Sequence, residues 1–290
     1  MKQHFYASTK SFLIACLVLF SSLADAGDQG LLWQVKSPEG KVSYLLGTIH
    51  ADDTRVTDFS PSLLDAFSKT EVFMMESLPP RNPSIFLMKN GNVAELLTEK
   101  EFDQVRELAD FHSMHIEAAM KMKPWLLAVI FDLPKPKSMY SMDELLMAKA
   151  EEQNKIVLGL ESTQAHFSVL DSISQDEQMV MLKAVLNRTQ DEKLRDYEAL
   201  LSTYQSGDLD KIASLDDSIT GQMLPQALWE KMRIKLIDER NQGMTNGMIA
   251  QAKDKSVFVA MGASHLAGKD GVINRLRQAG YELVPVNMNE

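Results

Sequence analysis

Cysteine is nearly absent from this chain, since Cys16 is the single one in 290 residues. It lies within the apolar run 12–20, which follows two lysines and precedes an Ala-x-Ala motif at 24–26. A basic start, a short apolar stretch and such a motif make up a secretory signal peptide. We predict that residues 1–26 are removed on export to the periplasm or the medium. The mature chain, 27–290, would then have no cysteine with which to form a disulfide.

Long apolar runs and an excess of basic residues are also lacking. The run 12–20 is too short for a permanent membrane span, and no later segment approaches the ~18–20 apolar residues that a spanning helix needs. Lipidation of Cys16 is disfavoured because the apolar run continues past it.

Removing the signal's two lysines and one aspartate from 30 basic and 40 acidic residues leaves 28 and 39, a formal net charge of −11. Such a surface repels nucleic acid and anionic membranes, whereas cations, peptides and small molecules remain possible partners.

Several well-known catalytic motifs are missing. The sequence contains no Gly-x-Ser-x-Gly elbow, phosphate-binding glycine loop, dinucleotide fingerprint or His-Glu-x-x-His. Serine-triad, nucleotide-dependent and zincin-type functions therefore lack support.

What the chain does contain is one arrangement that occurs twice, an apolar run followed by Gly-x-x-His. The two copies are Gly47 to His50 and Gly262 to His265. The preceding runs are rich in β-branched and aromatic residues, which predicts strands that end at the glycines. Each histidine would then lie just past the end of a strand. The alternative is a structural role, in which the glycine ends the strand and the histidine caps a helix or bonds a carbonyl.

Two glutamates follow predicted strands in the same way. Glu76 comes after 72–75, and Glu161 comes after the apolar run 155–160. If the strands are parallel neighbours, both glutamates and both histidines project from one edge of the sheet, where ligands usually bind. Imidazoles with carboxylates suit a divalent cation that keeps an open position for water. Metal-free acid–base catalysis by a Glu/His pair is the alternative, and a helix cap or ion pair is the structural alternative for each glutamate.

Arg240 lies in the polar segment 238–241, shortly before the second histidine strand. Its planar guanidinium could pair with the site carboxylates or hold substrate oxygens, although a solvated helix face is equally compatible with the charge pattern. The remaining histidines of the mature chain, His112, His115 and His166, are predicted to be exposed.

The order of the predicted elements indicates an α/β fold. It consists of a central mixed β-sheet flanked by helices, with a large helical insertion at about 84–154 and further helices at about 163–252. Four Ser/Thr-x-x-Glu capping boxes predict helix starts, at Thr98, Ser141, Ser174 and Thr189. No repeat or linker interrupts 27–290, so we expect a single domain.

Four motifs together resemble the TraB/GumN family. They are Leu46 to His50, Gly159 to Ser162, Glu239-Arg240-Asn241 and Gly262 to Leu266, and they follow the family's order over essentially the whole mature chain. The resemblance implies an α/β fold related to the Tiki proteases and, more distantly, to the erythromycin esterase and ChaN-like haem-binding folds. One departure is His166, which stands where the family often has glutamine.

In Tiki-like members the two Gly-x-x-His histidines and a glutamate form a divalent-metal-dependent peptidase site that prefers manganese or cobalt. The resemblance therefore implies His50, His265 and Glu76 as metal ligands and Glu76, Glu161 and Arg240 as catalytic residues. The expected cofactor is a divalent metal ion, namely manganese, cobalt or zinc. The expected function is an exported metal-dependent hydrolase, first of all a peptidase, and the expected partner is a peptide or small-molecule substrate. The alternatives are a non-enzymatic periplasmic protein that binds haem or a metal as cargo, and a degenerate scaffold without activity.

Overall fold

The computed structural model describes residues 28–138 and 140–288, and the predicted signal peptide lies outside them. The strands are β1 Leu32–Lys36, β2 Val42–Thr48, β3 Val72–Met75, β4 Ile156–Gly159, β5 Val257–Gly262 and β6 Glu282–Val286. They form one sheet in the order β4-β3-β5-β2-β1-β6. The pairs β4–β3, β3–β5 and β5–β2 are parallel, and β2–β1 and β1–β6 are antiparallel. The predicted mixed sheet is confirmed.

Helices occupy most of the remaining described chain. They are α1 Thr54–Thr57, α2 Pro61–Ser68, α3 Glu99–Phe111, α4 Ile116–Ala119, α5 Pro124–Asp132, α6 Met142–Glu152, α7 Thr163–Asp171, α8 Gln175–Leu186, α9 Gln190–Gln205, α10 Leu209–Met223, α11 Gln226–Arg233, α12 Glu239–Ala252 and α13 Val272–Gln278. Short 3-10 helices lie at Pro83–Phe86, Val93–Leu96 and Ala263–His265, and a π-helical segment, Ile234–Asp238, joins α11 to α12. The helical insertion between β3 and β4 and the helices between β4 and β5 match the predicted fold class.

Local sequence signals account for most helix boundaries. In all four predicted capping boxes, the glutamate carboxylate accepts a hydrogen bond from the backbone N–H of the cap residue. Helix α9 ends just before Gly207, which has a φ of +69° that favours glycine. Helix α13 begins only at Val272, after Gly268, whose φ of +81° lies outside the helical region.

Two hydrophobic clusters support these elements. One is built on the sheet, where the rings of Phe67, Phe73 and Phe258 pack together and the central strands are fully buried. The other lies among helices, with Phe131 and Leu182 at its centre. The candidate site residues follow the ends of these buried strands, which hold them in place. No helix in the described ranges has the length and apolarity that crossing a bilayer requires.

Candidate functional site

The parallel register aligns the C-terminal ends of four neighbouring strands. Thr48 of β2 pairs with Gly262 of β5, and Met75 of β3 pairs with both Ala260 of β5 and Gly159 of β4. The four side chains selected from the sequence follow these ends within three residues: His50, His265, Glu76 and Glu161. Such an edge is where open α/β sheets bind ligands.

Arg240 lies at the centre of this edge. Its Nη2 donates to Oε2 of Glu76 at 2.5 Å and its Nε donates to Oε1 of Glu161 at 2.8 Å. Its side chain is only 9% exposed, so Arg240 belongs to the site and is not part of a solvated helix face. The guanidinium is held further by the carbonyl of Leu236, which accepts from Nη1 at 3.0 Å. One arginine thus bridges both strand-end glutamates.

The π-helical segment Ile234–Asp238 ends two residues before Arg240. The N–H of Glu239, the residue that follows the segment, donates to the carbonyl of Ile234, five residues earlier. A π segment inserted in a helix shifts the faces of the residues that follow it, and such segments are frequent at functional sites. The π segment changes the face of the helix on which the following residues lie, and Arg240 after it points into the site.

The two glutamates differ electrostatically. Burial opposes ionisation of Glu76, but His265, Arg240 and His50, together with the N–H of Gly262 at 2.8 Å, hold its pKa well below the usual range. Burial raises the pKa of Glu161, and the nearby Arg240 only partly offsets it. Glu76 is therefore a firmly ionised carboxylate, whereas Glu161 takes up a proton more readily.

His265 is buried and its tautomer follows from its hydrogen bond. Its Nδ1 lies 2.7 Å from Oδ1 of Asn241, and because an amide oxygen only accepts, Nδ1 carries the proton. The Nδ2 group of Asn241 donates to the carbonyl of Asp270 at 3.0 Å, which fixes the orientation of the amide. The unprotonated Nε2 then lies 3.8 Å from Oε1 of Glu76 and 3.4 Å from Nη1 of Arg240. Burial lowers the pKa of His265 to about 4, so the ring is neutral at physiological pH.

His50 is held on the other side of the edge by a carboxylate. Its Nδ1 lies 2.9 Å from Oδ2 of Asp143, whose Oδ1 accepts from the hydroxyl of Thr48 at 2.7 Å. The Asp143 charge raises the pKa of His50 to about 9, although the imidazole is 70% exposed. The start of α6 is docked against this loop by the N–H of Met142, which donates to the carbonyl of Ala51 at 2.9 Å.

The imidazole nitrogens and carboxylate oxygens of the site suit a divalent metal, but they do not all lie close enough together to bind one ion. An imidazole nitrogen and a carboxylate oxygen on one tetrahedral ion lie roughly 3.4 Å apart, close to the 3.8 Å between His265 and Glu76. His50 influences the pKa of Glu76, yet its hydrogen bond is to Asp143. Across the described residues, no three His, Cys, Asp or Glu side chains are grouped closely enough for one ion.

Three polar residues of the site were not selected from the sequence: Asp143, Asn241 and His166. Asp143 sits in the first turn of a capping-box helix, and nothing in its local pattern shows that it faces His50. Asn241 follows Arg240 directly and is part of the Glu-Arg-Asn motif, which could have identified it from the sequence.

Two histidines predicted to be exposed are not. His166 is 23% exposed, with Nδ1 3.0 Å from Nη2 of Arg240 and 4.0 Å from Oε2 of Glu76. His166 lies in the first turn of α7, shortly after Glu161, and this position places its ring beside Arg240 and Glu76. His112 stacks on Phe131 with ring centroids 5.8 Å apart, and its Nε2 is buried without a partner. Both predictions were wrong because a polar sequence context does not reveal tertiary packing.

Comparisons with known proteins support the family resemblance. The model of the TraB/PrgY/gumN family matches residues 31–285, and the chain belongs to that family. It is 24% identical to "Metalloprotease TIKI1" of Danio rerio, over 87% of this chain and 62% of that protein. It is 26% identical to "Metalloprotease TIKI2" of Danio rerio, over 87% and 60%. An uncharacterized protein of Treponema pallidum (strain Nichols) is 21% identical, over 86% of this chain and 80% of its own length. The chain thus spans about three fifths of the length of these Tiki relatives.

Proposed function

We propose that this protein is an exported, divalent-metal-dependent hydrolase that cleaves peptide bonds. The observation that carries the proposal is the setting of His265, a buried neutral imidazole whose Nδ1 is fixed by Asn241. Its unprotonated Nε2 lies 3.8 Å from Glu76 and 3.4 Å from Nη1 of Arg240. A histidine oriented in this way through its second nitrogen is the usual form of a metal ligand. The metalloprotease relatives and the signal-like segment at 1–26 support the peptidase activity and the export.

His265, Glu76 and His50 are the residues that would hold the ion, which we expect to be manganese, cobalt or zinc. When bound, such an ion supplies Lewis-acid polarisation of a carbonyl and activation of water at neutral pH. The low pKa of Glu76 keeps its carboxylate available as a ligand. The depressed pKa of His265 keeps its Nε2 lone pair available in the same way.

Glu161 would transfer protons, and Arg240 would stabilise developing negative charge. Glu161 has a raised pKa, so its carboxylate is the better acceptor for a proton from the attacking water and the better donor of that proton to the leaving amine. Arg240 presents a fixed cation beside Glu76 and Glu161 and would stabilise the negative charge that develops on the substrate oxygen. His166 adds a further partner that keeps the guanidinium in place.

Peptide cleavage by the purified protein tests this function. A mixed peptide library is incubated with manganese, cobalt, zinc or a chelator, and products are followed by mass spectrometry. We expect metal-dependent cleavage by the wild type and by a control variant, His115→Ala, whose histidine is exposed and outside the site. His265→Ala should be inactive. Stoichiometric uptake of metal or haem without any turnover would instead show a binding protein and contradict the proposal.

A further inference from the structure

A groove leads away from the two strand-end glutamates. Leu78 lies two residues after Glu76 and Thr163 lies two residues after Glu161, and both line a cavity of about 770 Å³. The N–H of Glu161 donates to the carbonyl of Glu76 at 2.9 Å, and the hydroxyl of Thr163 donates to the carbonyl of Leu78 at 2.8 Å. The same two segments therefore carry the site carboxylates and form the near end of the groove.

The groove extends into a second cavity. This cavity has a volume of about 280 Å³ and shares four lining residues with the first, Met88, Lys89, Lys123 and Asp171. Apolar side chains form much of the wall: Leu78, Pro79, Pro80, Ile85 and Leu87. An open groove with an apolar wall that continues into a second cavity suits a polypeptide in extended form, which advances about 3.3 Å per residue, better than it suits a compact small molecule.

The charge of the groove is opposite to that of the whole protein. Its charged lining groups are Arg81, Lys89, Lys123 and Asp171. Lys123 is neutralised by Asp171, since its Nζ lies 2.7 Å from both carboxylate oxygens. In the described structure, no hydrogen bond or ion pair engages the exposed side chains of Arg81 and Lys89. A chain of formal net charge −10 thus leaves two free cations in this groove.

We propose that the groove binds an extended segment of the substrate peptide that carries apolar side chains and at least one acidic side chain. The inference rests on the proposed peptidase function and gives it a substrate class. Pro79 and Pro80 make one wall locally rigid because their φ angles are fixed, which lowers the entropic cost of ordering that wall around a ligand. The unpaired cations would select the acidic side chain, and the acidic surface elsewhere would repel competing modes of binding.

Fluorescence anisotropy with labelled octapeptides tests this inference. Three peptides of one apolar sequence differ only in a central Glu, Gln or Lys, and binding is measured in chelator so that no cleavage occurs. We expect the Glu peptide to bind most tightly, and its affinity to fall as salt is added. The double variant Arg81→Glu/Lys89→Glu should lower the affinity for the Glu peptide at least tenfold and should now favour the Lys peptide.

A second double variant controls for net charge. Lys100→Glu/Lys253→Glu changes the charge equally at exposed positions outside the groove, and it should leave the peptide preference unchanged. Thermal melting of both variants confirms that they fold. Equal binding of the three peptides, or an equal loss of affinity in both double variants, would overturn the groove as the acidic-peptide site. That result is separable from the proposed function, because cleavage by the wild type is scored independently after metal is restored.

Discussion

The carboxylate of Asp143 lies 2.9 Å from Nδ1 of His50, and it is buried while the imidazole is exposed. His265 is held through the same nitrogen by Asn241, at 2.7 Å. In each histidine of the repeated motif, Nδ1 is therefore engaged by a polar side chain. The partners differ in charge, which makes the His50 ring more basic and leaves the buried His265 neutral.

Asp143 should act as a positioning residue for His50. Asp143→Asn removes the charge but keeps a polar group beside Thr48, and we expect it to weaken manganese binding by roughly tenfold to a hundredfold. It should also lower the pKa of His50 from its raised value, because the Asp143 charge is the largest cause of that shift. Calorimetry measures the first effect and NMR titration the second. Asp110→Asn, at an exposed aspartate outside the site, is the control. Unchanged affinity and an unchanged titration would contradict the assignment.

Arg240 should contribute to turnover more than to metal retention. Arg240→Lys keeps a positive charge but loses the planar fork that bridges Glu76 and Glu161. We expect kcat to fall by roughly a hundredfold to a thousandfold, while the bound metal is retained. Steady-state kinetics and elemental analysis of the same preparation separate the two effects. Loss of the metal with normal turnover in the reloaded enzyme would show that Arg240 serves metal retention and not turnover.

His166 should be replaceable by glutamine. A glutamine side-chain oxygen can accept from Nη2 of Arg240 as Nδ1 of His166 does at 3.0 Å. We expect His166→Gln to keep kcat/KM within a few fold. His166→Leu leaves the buried guanidinium with one partner fewer, which should cost about 1–3 kcal/mol of stability and lower kcat/KM. If the two variants have the same kcat/KM and the same stability, whether both are unchanged or both are reduced, this hydrogen-bonding role is excluded.

His112 should make stability depend on pH. Burial lowers its pKa from 6.5 to about 4, so between these values the unfolded chain takes up a proton that the folded chain does not. Stability is then lost as the pH falls through this window, by up to roughly 1.4 kcal/mol per pH unit for one such group. His166 and His265 act in the same direction. Urea denaturation of His112→Phe should show a shallower loss than the wild type, and parallel pH profiles would refute the assignment.

The strand ends were readable from the sequence because their signals are local. Apolar runs that stop at Gly47 and Gly262 mark both strands, and the four capping boxes mark helix starts. The partners of the site residues were not readable in the same way. Asp143 reaches His50 only because α6 docks beside the loop after β2, and Arg240 points inward after a π-helical segment that has no sequence signature. His166 was predicted to be exposed because its sequence neighbourhood is polar, and no local signal shows that α7 packs beside Arg240 and Glu76.

The metal content of three purified proteins tests the central proposal most directly. Wild type, His50→Ala and His265→Ala are equilibrated with manganese, desalted and analysed by mass spectrometry of the bound metal. We predict stoichiometric manganese in the wild type and little in either variant, since the two histidines would serve one ion. Unchanged manganese content in both variants would contradict a shared metal site.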